Sequence, residues 1–252
     1  MSRRDRVASA ATFLAVGIML IAAGASNGQL RVDLETGGVF PGYNDVRIPG
    51  DTGTKFSLSE DLDAESKVFW RARMEYTLGG RHTFSLLYAP LTIEASGSVD
   101  KPIVFEGVEF PAGTDLDGEY TFNSYRLTYR YEFAPRGRLS YGIGFTGKIR
   151  DAAVTLKGGG LSSEKTNVGF VPLVNFRMSW AFSDRLSALL QGDALAAPQG
   201  RAEDVTLALL YSPSDRVQVR LGYRFLEGGA DNDEVYNFAL LNYASIGVSV
   251  SL

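Results

Sequence analysis

Residues 167–182 read Asn167-Val-Gly-Phe-Val-Pro-Leu-Val-Asn-Phe-Arg-Met-Ser-Trp-Ala-Phe182. Even positions carry Val168, Phe170, Pro172, Val174, Phe176, Met178, Trp180 and Phe182, whereas Asn167, Gly169, Asn175, Arg177 and Ser179 fall on odd ones. A helix would set Asn175 and Arg177 on the same stripe as the aromatic rings, so the period is two and the segment is a strand. It also runs well past the usual soluble strand of about five or six residues.

The alternation recurs elsewhere. Tyr125, Leu127, Tyr129, Tyr131 and Phe133 share one face, with Arg126, Thr128, Arg130 and Glu132 on the other. Val217, Val219, Leu221, Tyr223 and Phe225 likewise oppose Arg216, Gln218, Arg220 and Arg224. The 252 residues are 45% hydrophobic and 21% charged, with a mean hydropathy of −0.03, which excludes a bundle of apolar membrane helices. A formal charge of −4 argues against a nucleic-acid partner. With no cysteine and one histidine, disulfides and thiolate metal sites are excluded and little is left for imidazole chemistry, so no cofactor and no metal are expected.

Two features set the apolar faces against lipid rather than against a second sheet. Short turns at 79–81, 134–137, 183–184 and 212–215 alternate with longer acidic or glycine-rich segments near 43–66, 98–118, 157–165, 198–203 and 227–234. Tyr76, Tyr131, Phe133, Tyr141, Trp180, Phe182 and Tyr211 each lie within about four residues of a short turn, as a girdle at a membrane interface would. Strands then fall near 30–42, 67–78, 82–97, 119–133, 138–156, 165–182, 185–197, 203–212, 216–227 and 235–252. The expected fold is all-β, a closed antiparallel up-and-down transmembrane barrel of about ten strands, with eight or twelve as variants of the same architecture.

The N-terminus carries Arg3, Arg4 and Arg6, then an apolar run from Ala10 to Ala23 and the small residues Ala23-Gly24-Ala25. This order reads as a cleaved signal peptide over 1–25, leaving 26–252 as the barrel domain.

On these patterns the chain resembles the small outer-membrane β-barrel proteins of Gram-negative bacteria, in the class of porin-like and adhesin-like barrels. The most specific piece is the C-terminal stretch Ser245-Ile-Gly247-Val-Ser-Val250-Ser-Leu252, similar to the terminal signal read by barrel-assembly machinery through Gly247, Val250 and Leu252. Many members of the class end in Phe or Trp, where this chain has Leu252. The resemblance implies an outer-membrane location with both termini periplasmic, handover by periplasmic chaperones and insertion by the assembly machinery. It also implies contact with outer-membrane lipid and lipopolysaccharide; any extracellular ligand is left open.

Projected inward, the alternation collects Arg31, Asp33, Glu35, Lys67, Arg71, Arg73, Glu75, Arg126, Arg130, Glu132, Lys148, Arg150, Arg177, Arg185, Gln191, Asp193, Asp204, Arg216, Arg220 and Arg224, thirteen basic groups against six acidic ones. A barrel of this size is nearly filled by side chains, so long arginines would occlude it, and their forks suit carboxylate partners. The leading reading is an internal charge network through Arg71, Arg73, Glu75, Arg126, Arg130, Glu132, Arg177, Asp193, Arg216, Arg220 and Arg224. The excess of positive charge leaves open an anion-attracting constriction.

Several motifs match only on paper. Gly142-Ile-Gly144-Phe-Thr-Gly147 fits a dinucleotide-binding pattern but lies inside a strand, where glycines make room for neighbouring arginines. Asp51-Thr52-Gly53 resembles an aspartic-protease triplet without a second copy. Asp231-Asn232-Asp233-Glu234 offers carboxylates without the rest of a calcium loop. His82 has Ser85 nearby but heads a strand at the short-turn end, away from where barrel enzymes keep their catalytic groups, and no triad is visible. No catalytic residue is expected. Three roles remain: a structural or surface-interaction barrel, a narrow anion-favouring channel or small-solute transport barrel, and a lipid-modifying enzyme.

Overall fold

The structure is a computed structural model and describes residues 28–198 and 200–252. The expected signal peptide at 1–25 lies outside the described residues.

Among the described residues fourteen strands follow one another: β1 (Gly28–Arg47), β2 (Phe56–Ser57), β3 (Lys67–Leu78), β4 (His82–Ala89), β5 (Thr92–Ser98), β6 (Ile103–Phe105), β7 (Val108–Phe110), β8 (Asp115–Glu132), β9 (Leu139–Gly158), β10 (Leu161–Ala181), β11 (Leu186–Ala197), β12 (Gly200–Tyr211), β13 (Val217–Asp231) and β14 (Tyr236–Ser251). Antiparallel ladders join neighbours around the ring, and β14 pairs with β1 from Arg31↔Ser251 to Arg47↔Tyr236 to close it. β4 and β5 act as one strand interrupted at Pro90, which has no N–H to donate, so the barrel has ten strands as the alternation requires.

The short turns and the two ends of the described chain share one rim. At this end Gly79 and Gly80 take φ of +56° and +67°, the left-handed conformation a tight β3–β4 reversal needs. The opposite rim departs from the sequence expectation. Of the five segments read as long, 157–165, 198–203 and 227–234 are largely strand, and β9 and β10 meet through Gly159-Gly160 alone. Strand pairing continues into them: β9 and β10 turn on Gly159-Gly160 at positive φ, and Asn232 closes the turn after β13 by accepting from the N–H groups of Glu234 and Val235. Only 48–66 and 99–114 are true loops.

Those two loops fold into the mouth. In the first, β2 pairs with β1 through Val46↔Phe56, and the Asp61 carboxylate accepts from the Ser57 N–H at 2.7 Å. In the second, β6 and β7 form a hairpin on Glu106-Gly107, both at positive φ. The Thr54 N–H donates to the Val104 carbonyl at 2.9 Å, and the Phe56 and Phe105 rings meet edge-on at 6.1 Å. Ile48, Phe56, Leu58, Leu62, Ile103, Phe105 and Phe110 are buried against Val39, Val46, Leu116, Leu156 and Leu241 from the barrel wall. Acidic segments of this length would stand out in water if solvation alone placed them. Their charges do, but their apolar residues form a plug. Lys55 ties the plug outward: its ammonium donates to Asp45 at 2.9 Å, and that hydrogen bond raises its pKa.

The faces of the barrel exchange character along its axis. On β8, Arg126 and Arg130 are buried inside while Leu127 and Tyr129 are exposed outside, Leu127 at 59%. Further up the same strand Leu116 and Tyr120 are buried inside, while Asp115, Asp117 and Glu119 are exposed. β9 repeats the switch: Phe145 is 71% exposed beside buried Lys148, and Leu156 is fully buried beside exposed Lys157. On β14 Ile246, Val248 and Val250 face out over buried Ser245 and Ser249, whereas Leu241 and Tyr243 are buried further up. An apolar collar therefore surrounds the short-turn half, and a conventional water-facing barrel with an apolar core stands on top of it. Strand β10, with 21 residues, gives a wall roughly 50 Å tall at about 3.3 Å per residue and a 40° tilt, against a hydrocarbon layer of about 30 Å.

Candidate functional site

The collar encloses a belt of charge. Alternation along β1, β3, β8, β11, β12 and β13 brings its members to one level from positions far apart in the chain. Arg126 is the hub: its Nη1 donates to Asp193 at 2.7 Å, its Nη2 to Asp204 at 2.6 Å and its Nε to the Ser124 hydroxyl at 3.0 Å. Asp193 also accepts from Thr146 at 2.6 Å and from the Asn175 amide at 2.7 Å. Arg220 makes a fork on Asp33, 3.0 Å at each nitrogen, and reaches Glu35 at 3.0 Å, while the Ser249 hydroxyl donates to Asp33 at 2.7 Å. Arg71 links the two groups, 3.8 Å from both Glu35 and Asp204, and Arg224 lies 3.6 Å from Asp204. Nearer the short turns Arg130 donates to Glu132 at 2.6 Å and stands 3.8 Å from Glu75, which Arg73 approaches at 3.9 Å. Arg177 faces inward from β10, across from Gln191 and Gly142.

Arg216 is a correction. It sits in the exposed turn before β13, outside the belt, because the strand begins one residue later than the alternation implied; its carbonyl accepts from the Ser251 N–H. Arg185 is exposed in the β10–β11 turn for the same reason, and Lys67 pairs with Glu94 at 3.0 Å on the outside. The positive excess inside is thus smaller than the thirteen-to-six projection. Asp33, Glu35, Asp204 and Lys148 were in that projection and join the belt, although they stand outside the core set picked from the sequence.

The belt is closed. An open channel leaves its lining accessible to water, yet Arg71, Arg126, Arg130, Arg220, Arg224, Asp193 and Asp204 are all buried. Above it, Arg224 stacks on Tyr243 at 3.8 Å and Lys148 on Phe122 at 4.6 Å, so each lends its charge to the belt and its contact surface to the apolar core. Glycines create the space: a Cβ on Gly142 would lie 2.5 Å from the Glu132 carboxylate, and one on Gly247 would lie 2.7 Å from Nη2 of Arg220. The Gly142–Gly147 pattern serves packing inside β9.

On the outer face, Phe133, Trp180, Phe182 and Tyr211 are exposed and Tyr76, Tyr131 and Tyr141 half-buried, all near the short-turn rim. Tyr131, Phe133 and Tyr141 form a run of rings with centroids 5.2 and 4.9 Å apart. His82 joins them, its Nδ1 3.0 Å from the Tyr129 hydroxyl, while Ser85 is buried on the opposite face of β4, so the two cannot act together. Gly247 faces the lumen and Val250 faces outward on the closing strand, and Leu252, exposed just past its end, donates its N–H to the Leu30 carbonyl. In the Asp231–Glu234 turn, the Asn232 side chain accepts from the N–H groups of Glu234 and Val235, and among the described residues no group of three or more His, Asp or Glu is placed to hold a metal.

No protein-family model matches the sequence, and no curated protein is similar enough in sequence to match it. Solved structures do match. The outer-membrane protease OmpT from Escherichia coli aligns over 89% of this chain and 97% of its own, with 8% identity and a TM-score of 0.55. The attachment invasion locus protein Ail of Yersinia pestis, solved with the heparin analogue sucrose octasulfate, aligns over 90% of this chain and 99% of its own, with 10% identity and a TM-score of 0.41. The first likeness, together with the closed ten-stranded ring, gives this chain the fold of the small outer-membrane β-barrel proteins.

Proposed function

We propose that the protein is an integral outer-membrane barrel with a locked lumen, serving a structural or surface-interaction role rather than transport or catalysis. The observation that carries this reading is the exchange of faces along the axis. A polar interior beneath an apolar exterior suits hydrocarbon, and the reverse arrangement above it suits water. In this reading the short turns and both termini are periplasmic, and Phe133, Trp180, Phe182 and Tyr211 sit at the inner interface. Gly247, Val250 and Leu252 would present the closing strand to the assembly machinery, after periplasmic chaperones have delivered the chain. Asp115, Asp117 and Glu119 would face the cation-bridged lipopolysaccharide layer.

Two independent closures support a role without transport: the charge belt and the apolar plug. The Escherichia coli neighbour is a protease, but the single histidine here is on the outer face at the short-turn end. That position supports a role without catalysis.

The test is conductance in planar bilayers with the full chain reconstituted. The expected result is no unitary current in either polarity. Steady anion-selective current would overturn the locked lumen in favour of the channel. A change in lipid A mass on expression, abolished by His82→Ala, would overturn the non-catalytic role.

A further inference from the structure

We propose that a window in the barrel wall at Pro90 admits the carboxylate head of a long-chain fatty acid from the membrane, to be held by Arg71 and Arg224. The proposal rests on the collar being embedded in lipid. The β3–β4 ladder ends at Ala72↔Tyr88; continuing its register past Arg71 and Ala89 would set Trp70 against Pro90, which cannot donate. The wall is rejoined only higher up, where Ala64 bridges Ala95 and the Glu65 N–H donates to the Glu94 carbonyl at 2.8 Å. Between these points a cavity of about 20 Å³ runs from Trp70 and Pro90 in the wall to Arg71 and Arg224 inside.

Its inner end is built for an anion. Arg71 and Arg224 are 4% and 3% exposed, and among the described residues the Nε–H of each has no hydrogen-bond partner. Their ion pairs, at 3.6–3.8 Å, are longer than hydrogen bonds, unlike the 2.6–2.7 Å contacts of Arg126. Two buried guanidinium groups with spare donors favour a planar oxygen pair. The space takes a group of about carboxylate size and excludes a phosphodiester or sugar head, given that one water needs roughly 10–15 Å³ by the same measure.

The approach is sideways. Phe69, Phe122, Leu226 and Tyr243 belong to the apolar layer that seals the cavity from the loop end, while outside the window Trp70 meets Tyr88 edge-on at 5.5 Å and Tyr88 stacks on Tyr125 at 5.1 Å. The outer face turns polar immediately above, at Thr92 and Glu94, so the window lies where a lipid's carbonyl region meets hydrocarbon. A tail lying against those rings stays in the bilayer with its head inside.

The experiment uses the full chain in phosphatidylcholine vesicles and two single-tryptophan variants, Trp180→Phe, in which Trp70 reports, and Trp70→Phe, in which Trp180 reports. The probe is stearate bearing a nitroxide on its fifth carbon. Saturable quenching of Trp70, reversed by unlabelled palmitate and not by acetate, is the expected result. Affinity should fall at least about tenfold in Arg224→Gln and in Leu91→Phe, the latter filling the cavity without touching charge. Quenching that grows with probe content without saturating, competition by acetate, or unchanged affinity in a folded Leu91→Phe protein would each overturn the proposal. Trp180 should be quenched by nitroxide-labelled phosphatidylcholine throughout; its failure to respond would instead overturn the collar reading, and this one with it.

Discussion

Arg126 on β8 donates to Asp204 on β12 across the lumen, 2.6 Å apart in space and 78 residues apart in sequence. The same guanidinium holds Asp193, so one side chain bridges two buried carboxylates, with Arg71 and Arg224 also facing Asp204. Arg126→Met should therefore cost about 3–5 kcal/mol, the scale on which a buried charge left without its partner destabilises a fold. Arg126→Lys should cost less but not nothing, because an ammonium cannot serve both carboxylates through a planar fork. Urea-dependent refolding into lipid vesicles, followed by the mobility difference between folded and heated barrel, measures both.

The height of the collar can be tested on one face of one strand. Leu207 and Glu203 both point outward from β12, Leu207 at 60% exposure, but on opposite sides of the change in surface chemistry. Leu207→Arg should lose about 2–4 kcal/mol of folding free energy in vesicles, the cost of a guanidinium near mid-bilayer, and Glu203→Arg less than about 1. Equal losses would mean that hydrocarbon does not stop between them.

The plug should loosen without opening the lumen. Phe105→Ala removes a fully buried ring and should cost about 3–5 kcal/mol locally. Hydrogen exchange should quicken in 48–66 and 99–114 while 141–149 stays protected, and conductance should stay absent because the belt is intact beneath. Faster exchange spread evenly over the barrel would show that plug and collar melt as one unit.

Gly247 separates packing from recognition. A Val at this position would push Arg220 off Asp33 and Glu35, so Gly247→Val should destabilise the barrel by about 1–3 kcal/mol in vesicles that contain no assembly machinery. A loss seen only in cells would assign the glycine to the machinery instead.

Alternation in the sequence was sufficient for the ring of strands. Phe170, Phe176 and Trp180 face outward and Asn175 inward in β10 as the period of two demands, because parity within a strand is fixed by backbone geometry. Parity does not say what lies beyond the face. Val154 and Leu156 share the inner face of β9 with Lys148, and nothing in their own spacing reveals that they meet a plug. A signal for the plug was present: Phe56, Leu58 and Leu62 punctuate an acidic stretch, and Ile103-Val-Phe105 and Val108-Glu-Phe110 flank the turn-forming Glu106-Gly107. Arg216 falls outside the strand because strand ends, unlike strand interiors, depend on the adjoining turn. The window at Pro90 depends on which residue of β3 stands opposite it, which only the register supplies.

Because the partners of Arg126 come from β11 and β12, a polypeptide cut short before Asp193 could not pair that buried charge. Such a fragment would have to carry a bare guanidinium into oil or stay unfolded, exposed to envelope proteases. The late position of two aspartates thus makes completeness of synthesis a physical precondition for residence in the bilayer.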